Sequence, residues 1–216
     1  MAYGTLATQV RREVRSTHAE KMTTALERVA LGLFARRGFA SVTVDEIAAE
    51  AQVSVRTFYR YLPQKEQVLH VRIDRRAALI AEALARRTDD EAPLRAIREA
   101  LTEASADEDE ELVRQWVAVI AATPELVPGV IGGMQLKVRR VINEYLALRL
   151  DEAVDAFVPK MLAAAVGGIA EAATTYWFAD GGDLSATMDA ALELLEPVGS
   201  ASALWTNKRS PQERSL

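Results

Sequence analysis

The chain has 216 residues, half of them apolar, no cysteine, and only two histidines, His18 and His70. That is ample material for a core, and it excludes a disulfide framework, a thiolate metal site and most imidazole chemistry. The net charge of −5 is unevenly spread: residues 1–76 carry 13 Lys+Arg against 8 Asp+Glu, net +5, and residues 77–216 carry 13 against 23, net −10. A basic front suits a polyanionic partner, although ordinary scatter of surface charge produces the same asymmetry. The opening MAYGTLATQVRREVRS shows no apolar run before a cleavage site, and no uncharged stretch is long enough to cross a bilayer. The expectation is a cytoplasmic protein that uses no cofactor and does not engage the membrane.

Apolar residues recur at three- and four-residue spacing throughout, so the fold class is all-α, with about nine helices. The first is expected from about Glu20 to Arg37, its buried stripe Met22, Leu26, Val29, Leu33 and Phe34, ending at Gly38. Thr43-Val44-Asp45-Glu46 is a capping box that opens a short second helix, Val44 to Ala51. Gln52-Val53 turn the chain. Ser54 caps a third helix, which Leu62-Pro63 stops near Tyr61. A fourth runs from about Gln64 or Lys65 to Arg87. Further helices are expected at about 92–105, from the acidic run Asp107–Glu111 to about Ala122, at 131–155 after the breakers Pro124 and Pro128-Gly129, at 159–179, and at 184–196. The organisation expected is a flexible extension over 1–18, a helix-turn-helix over 19–64, a helical ligand-binding and dimerisation domain over 65–197, and a flexible tail over 198–216.

The second and third helices have helix-turn-helix lengths. Phe58 and Leu62, four apart, anchor the third helix on one face, which turns Val55, Arg56, Tyr59 and Arg60 outward. An outward arginine can fork onto guanine O6 and N7, and a valine can touch a thymine methyl. The hydroxyls of Thr57, Tyr59 and Tyr61 can reach phosphate oxygens. So can Thr43 at the start of the second helix and Lys65 in the first turn of the fourth. With the cap Ser54, these residues form the DNA-facing set. The same pattern also describes a three-helix core with a polar surface.

The run Gly38-Phe39 … Val42-Thr43-Val44-Asp45-Glu46-Ile47-Ala48 … Ala51-Gln52-Val53-Ser54-Val55-Arg56-Thr57-Phe58-Tyr59-Arg60-Tyr61-Leu62-Pro63-Gln64-Lys65-Glu66, with Leu69 beyond it, resembles the DNA-binding domain of the TetR family of bacterial repressors. That family's pattern is T-x-x-x-I-A-x-x-A-G-V-S-x-x-T-x-Y-x-Y-F-x-x-K-x-x-L. The chain departs from it at Gln52, where glycine is usual, and at Leu62, where phenylalanine is usual. The resemblance covers about residues 20–70. It implies phosphate contacts from Thr43, Thr57, Tyr59, Tyr61 and Lys65, base reading by Val55 and Arg56, and a backbone or base-edge contact from Arg60. It also implies a homodimer on palindromic double-stranded DNA, its two reading helices in successive major grooves about 34–36 Å or somewhat more apart. Arg11, Arg12 and Arg15 either follow the adjacent DNA or belong to a tail outside the fold.

In the acidic remainder, Met161 to Phe178 is nearly free of charge and rich in small residues. Two adjacent glycines there cost about 1 kcal/mol each relative to alanine. Close helix–helix approach is the expected compensation, in a four-helix dimer interface with the 184–196 helix or, alternatively, in an intrachain core. A ligand cavity is expected to draw on Trp116, Ile120, Met134, Val138, Ile142, Tyr145 and Trp177, with Gln115, Thr123, Gln135 and Asn143 as polar contacts. TPELVPG and the long helix after it resemble the actinobacterial subgroup associated with long-chain acyl-coenzyme A or similar apolar effectors. The resemblance then implies repression relieved by a small apolar ligand that biases the fourth helix. A helical enzyme is the competing class. It would need a nucleophile, base or metal site, and no E-x-x-H pattern occurs.

Overall fold

The computed structural model describes residues 2–195, with side chains from His18 onward. The expected tail at 198–216 and the side chains of Arg11, Arg12 and Arg15 lie outside that description. Among the described residues there are nine α-helices, two 3-10 turns and no strand. The helices are α1 (Ala2–Arg37), α2 (Val44–Glu50), α3 (Val55–Tyr61), α4 (Val68–Ala85), α5 (Pro93–Ala106), α6 (Glu110–Ala121), α7 (Val127–Leu150), α8 (Phe157–Asp180) and α9 (Leu184–Glu193). The 3-10 turns are Lys65–Gln67 and Pro124–Leu126.

Most element boundaries agree with the periodicity, and four differ for physical reasons. Helix α1 begins at Ala2, not near Glu20, so the residues expected to form a flexible extension continue the helix. Helix α7 begins at Val127, not 131, because Pro128 sits in its first turn, where no intrahelical amide donor is required. It ends at Leu150 rather than 155. Asp151 takes the left-handed conformation, φ 54°, and Glu152 N–H returns to Ala147 O at 3.0 Å. Lys65–Gln67 forms a 3-10 turn ahead of α4 instead of opening the helix directly.

The described residues form two compact units. The first holds the residues up to Arg75 and Asp109–Met134, and the second holds Arg76–Glu108 and the residues from Gln135 on. Helix α4 therefore runs through both.

In the first unit, Leu26, Ala30 and Phe34 of α1 pack with Ile47 and Ala48 of α2, Phe58 of α3, and Leu69 and Ile73 of α4. Helix α6 adds Leu112, Trp116, Val119 and Ile120 to the same core. A helix-turn-helix domain bounded at residue 64 leaves this contribution out. The Trp116 indole N–H donates to Leu69 O at 2.9 Å, and the Arg72 guanidinium lies over its ring, 5.0 Å from the centroid.

In the second unit α9 sits on α5 and α8. It buries Leu184, Met188 and Leu192, while α5 buries Leu94, Ile97 and Leu101. Polar ties fix their register: Ser185 Oγ donates to Thr102 O at 3.2 Å, and Arg98 pairs with Asp189 at 3.5 Å. Arg149 of α7 donates to the carbonyls of Thr88, Asp89 and Glu91, which fastens the segment between α4 and α5.

The turn between α2 and α3 accounts for Gln52. Val53 N–H donates to Ala48 O at 2.9 Å and Gln52 N–H to Ala49 O at 3.1 Å, the paired bonds of a Schellman motif. That motif requires a left-handed residue at Gln52, whose φ is 55°. Glycine accepts this φ without steric cost, whereas a side chain costs about 1 kcal/mol. Gln52→Gly is therefore expected to raise the thermal midpoint by about 1–3 °C once the greater freedom of the unfolded glycine chain is subtracted, as calorimetry would record. A lower midpoint would show that the Gln52 side chain contributes contacts of its own.

The capping box is also as expected. Thr43 Oγ1 accepts from Glu46 N–H, and Thr43 N–H donates to the Glu46 carboxylate at 2.8 Å. Arg37 adds an ion pair to that carboxylate at 2.7 Å. The Thr43 backbone N–H, then Arg37, lower the Glu46 pKa from 4.5 to about 2. Because the folded value is depressed, the cap's contribution is present above 4.5 and is lost as pH falls toward 2. A carboxyl titration followed by NMR is expected to place Glu46 near 2, and Arg37→Met is expected to move it upward.

Candidate nucleic-acid interface

Helix α3 has only seven residues. One face is its anchor: Phe58 is 0 % exposed and Leu62 is 4 % exposed. Removing a ring as well buried as that of Phe58 costs about 3–5 kcal/mol. At the N-terminus the Ser54 hydroxyl accepts from Thr57 N–H at 3.0 Å and pairs with Thr57 Oγ1 at 2.8 Å. At the C-terminus Leu62 N–H donates to Phe58 O, and Pro63 follows.

The opposite face carries Arg56, Tyr59 and Arg60, all exposed, with Val55, Thr57 and Tyr61 half-buried at its margins. Tyr59, 48 % exposed, lies edge-on to the Phe58 ring, 5.6 Å between centroids, which ties its position to the anchor. Arg60 donates to Tyr61 Oη at 3.1 Å and stacks over that ring, so the two form one basic, hydroxyl-bearing edge. Among the described residues Arg56 has no hydrogen-bond, ion-pair or aromatic partner.

Beside the Ser54–Thr57 and Arg60–Tyr61 pairs, two further members of the expected set have their polar groups engaged within the protein. The Lys65 ammonium donates to Phe39 O at 2.9 Å and Val42 O at 3.0 Å, and lies 4.2 Å from the centre of the Phe39 ring. It thereby holds the loop that delivers Thr43 to the start of α2. The Thr43 hydroxyl is itself bound to Glu46. Arg37, not singled out from the sequence, supports the same cap. Its position in the last turn of α1 gave no signal, because its partner Glu46 lies across a loop.

The expected ligand residues divide between the units. Trp116, Ile120 and Met134 belong to the first, where Trp116 and Ile120 are core residues against the helix-turn-helix. Val138, Ile142, Tyr145 and Trp177 belong to the second. There Trp177 is buried with its N–H on Gly182 O at 3.1 Å, and the Tyr145 hydroxyl accepts from Arg149 at 2.7 Å. Gln115 donates to Glu111 on its own helix, and Thr123 is buried. Gln135 donates to Glu171 of α8, and Asn143 Nδ2 donates to Val154 O at 2.8 Å. Among the described residues no group of three or more acidic or histidine side chains is placed to hold a metal ion.

Helix α8 buries one stripe, Pro159, Ala163, Val166, Ala170, Ala173 and Trp177. A second stripe is exposed: Phe157, Met161, Ala165, Gly168, Ala172, Tyr176 and Ala179. On α9, Ala186 and Ala190 are exposed one turn apart, with Leu194 just beyond. By length and composition α8 is the one described single helix apolar enough to cross a membrane, but it carries Lys160 and Glu171, and Glu171 is held by Gln135.

Comparison with known proteins agrees with this geometry. Residues 28–71 match the sequence profile of the bacterial regulatory proteins of the tetR family, and residues 91–199 match that of the MftR C-terminal domain. A Mycobacterium tuberculosis protein named a mycofactocin biosynthesis transcriptional regulator, MftR, is 32 % identical over 155 residues, covering 70 % of this chain and 77 % of its own. Among solved structures, Thermus thermophilus FadR, a TetR-family transcriptional repressor in complex with lauroyl-CoA, is 26 % identical with a TM-score of 0.52, over 80 % of this chain and 92 % of that one. The fold is shared with NalD, the secondary repressor of the MexAB-OprM efflux pump in Pseudomonas aeruginosa, at 18 % identity and a TM-score of 0.55, over 83 % of this chain and 95 % of that one. The chain belongs to the TetR family of bacterial transcriptional regulators, and its helix-turn-helix is the DNA-binding part.

Proposed function

We propose that this regulator is a repressor that binds a palindromic operator as a homodimer and leaves it when a small apolar effector binds. A long-chain acyl-coenzyme A is the first candidate effector, by analogy with the lauroyl-CoA bound to the Thermus thermophilus protein. The observation that carries the reading is Arg56. Without a polar partner among the described residues, it stands exposed on the outer face of a helix whose inner face is anchored by Phe58, the placement a base-reading arginine needs. Tyr59 and the Arg60–Tyr61 edge flank it and suit phosphate. Lys65 acts chiefly by holding the loop before α2. The protein works in the cytoplasm beside the chromosome and performs no catalysis.

The exposed stripes of α8 and α9 support the dimer. A cationic or anionic helix face would resist a second copy, whereas a face of alanine, glycine and a few large apolar residues permits close approach. Continuity of α4 through both units gives an effector a route to α3, provided the effector prefers one α4 position by a few kcal/mol.

Selection of bound DNA from a random pool at two salt concentrations tests the reading; a palindrome with steep salt dependence is expected, and no enrichment would remove it. Arg56→Ala is expected to lose about 1–3 kcal/mol of discrimination at one base position in each half-site, with an unchanged thermal midpoint. Lys65→Met is expected to lower the midpoint and the DNA affinity together; loss of affinity alone would assign Lys65 to phosphate. Ala165→Glu/Ala172→Glu is expected to give folded monomers by light scattering, with operator binding lost.

A further inference from the structure

Among the described arginines, two have no hydrogen bond, ion pair or aromatic contact with another described residue, Arg56 and Arg139. Arg56 is exposed and DNA-facing. Arg139 is not: it is half-buried on α7, and its Nε is shut off from solvent. A guanidinium N–H withdrawn from water without an acceptor is unfavourable, so a buried Nε is ordinarily paired. One turn further along the same face stands Asn143, 9 % exposed, whose Nδ2 is used by Val154 O but whose buried Oδ1 has no donor. One turn before Arg139, Gln135 takes up the Glu171 carboxylate, so that acid is engaged elsewhere. All four residues lie in the second unit, and the buried apolar residues Val138 and Ile142 immediately precede Arg139 and Asn143 on α7.

We infer that Arg139 and Asn143 form a polar head-group site on α7 for an amphiphile bearing an oxyanion, a carboxylate or a phosphate. The guanidinium fork donates two N–H bonds to two oxygens of the anion, a geometry an ammonium cannot match. Asn143 Oδ1 takes an O–H or N–H from the same molecule, about 6 Å along the helix axis from Arg139, the rise of four residues. An apolar chain continues beside Val138 and Ile142. The inference rests on the small-molecule effector reading above and names which chemistry of effector the second unit selects.

The test uses the full-length protein with three probes of equal chain length: laurate, lauroyl-CoA and dodecanol. Binding is measured by calorimetry on wild type, Arg139→Met, Arg139→Lys, Asn143→Leu and the control Arg140→Met, whose arginine is exposed and pairs with Glu144. Wild type is expected to prefer laurate or lauroyl-CoA over dodecanol by about tenfold or more, as a charge-assisted bidentate bond requires. Preference for laurate identifies a carboxylate, and preference for lauroyl-CoA alone identifies the phosphate-bearing head. Arg139→Met is expected to abolish the preference while leaving dodecanol binding unchanged. Arg139→Lys is expected to recover part of it, Arg140→Met to retain it, and Asn143→Leu to weaken lauroyl-CoA more than laurate. No preference in wild type, or an equal preference in Arg139→Met, overturns the inference. Unchanged operator affinity of Arg139→Met certifies its fold, and the wild-type comparison decides even if that variant fails to fold. If the oxyanion binds through Arg139 yet leaves the operator complex intact, the site stands and the effector-release reading fails.

Discussion

Helix α3 is two turns long, too short to persist on its own in water. Everything it offers to DNA therefore depends on how it is seated. Phe58 provides the seat, and the caps at Ser54 and Leu62 close its ends. The seat is made by α1 and α2, whose own relation is kept by the Lys65 ammonium on the loop between them and by the Arg37–Glu46 pair. The polar groups around α3 thus form a hierarchy. Some exist to be read against DNA, and others exist so that those few point correctly.

The core beneath α3 is larger than the three helices of the motif. Helix α6 contributes four buried residues to it, and Trp116 joins that helix to α4 through the Leu69 carbonyl. Chain order conceals this, since α5 intervenes and belongs with α8 and α9. A division of the protein into a front and a back by residue number therefore misplaces α6. A displacement of α6 would disturb the α4 turn that carries Leu69 and Arg72.

Much of the architecture was readable in the amino-acid sequence because it rests on local chemistry. The capping box at Thr43, the stop at Leu62-Pro63, the closure at Gly38 and the anchors Phe58 and Leu62 are each specified by residues within a turn or two of one another. What was not readable depends on partners distant in the chain. Lys65 carries the right charge for phosphate, yet its ammonium meets two carbonyls from a loop more than twenty residues away. Pro128-Gly129 looks like a break, but proline is acceptable in a first turn, so α7 starts before it. Arg139 carries no sequence signal for a related reason: a charged residue on a long helix has the pattern of surface, and only the packing encloses its Nε. Gln52 is one of the two visible departures from the family pattern, and its positive φ shows that the turn keeps its geometry without the glycine best suited to it.

The two buried indoles give the protein an optical property that follows from its packing. Trp116 sits in the unit that holds α3, under a cationic guanidinium and hydrogen-bonded to α4. Trp177 sits in the other unit, its N–H on the Gly182 carbonyl at the end of α8. Indole emission responds to nearby charge and hydrogen bonding. With Trp205, outside the described residues, replaced, each remaining ring becomes a native chromophore for one unit. The signal arriving at one ring and the response at the other can then be timed separately, without an attached dye.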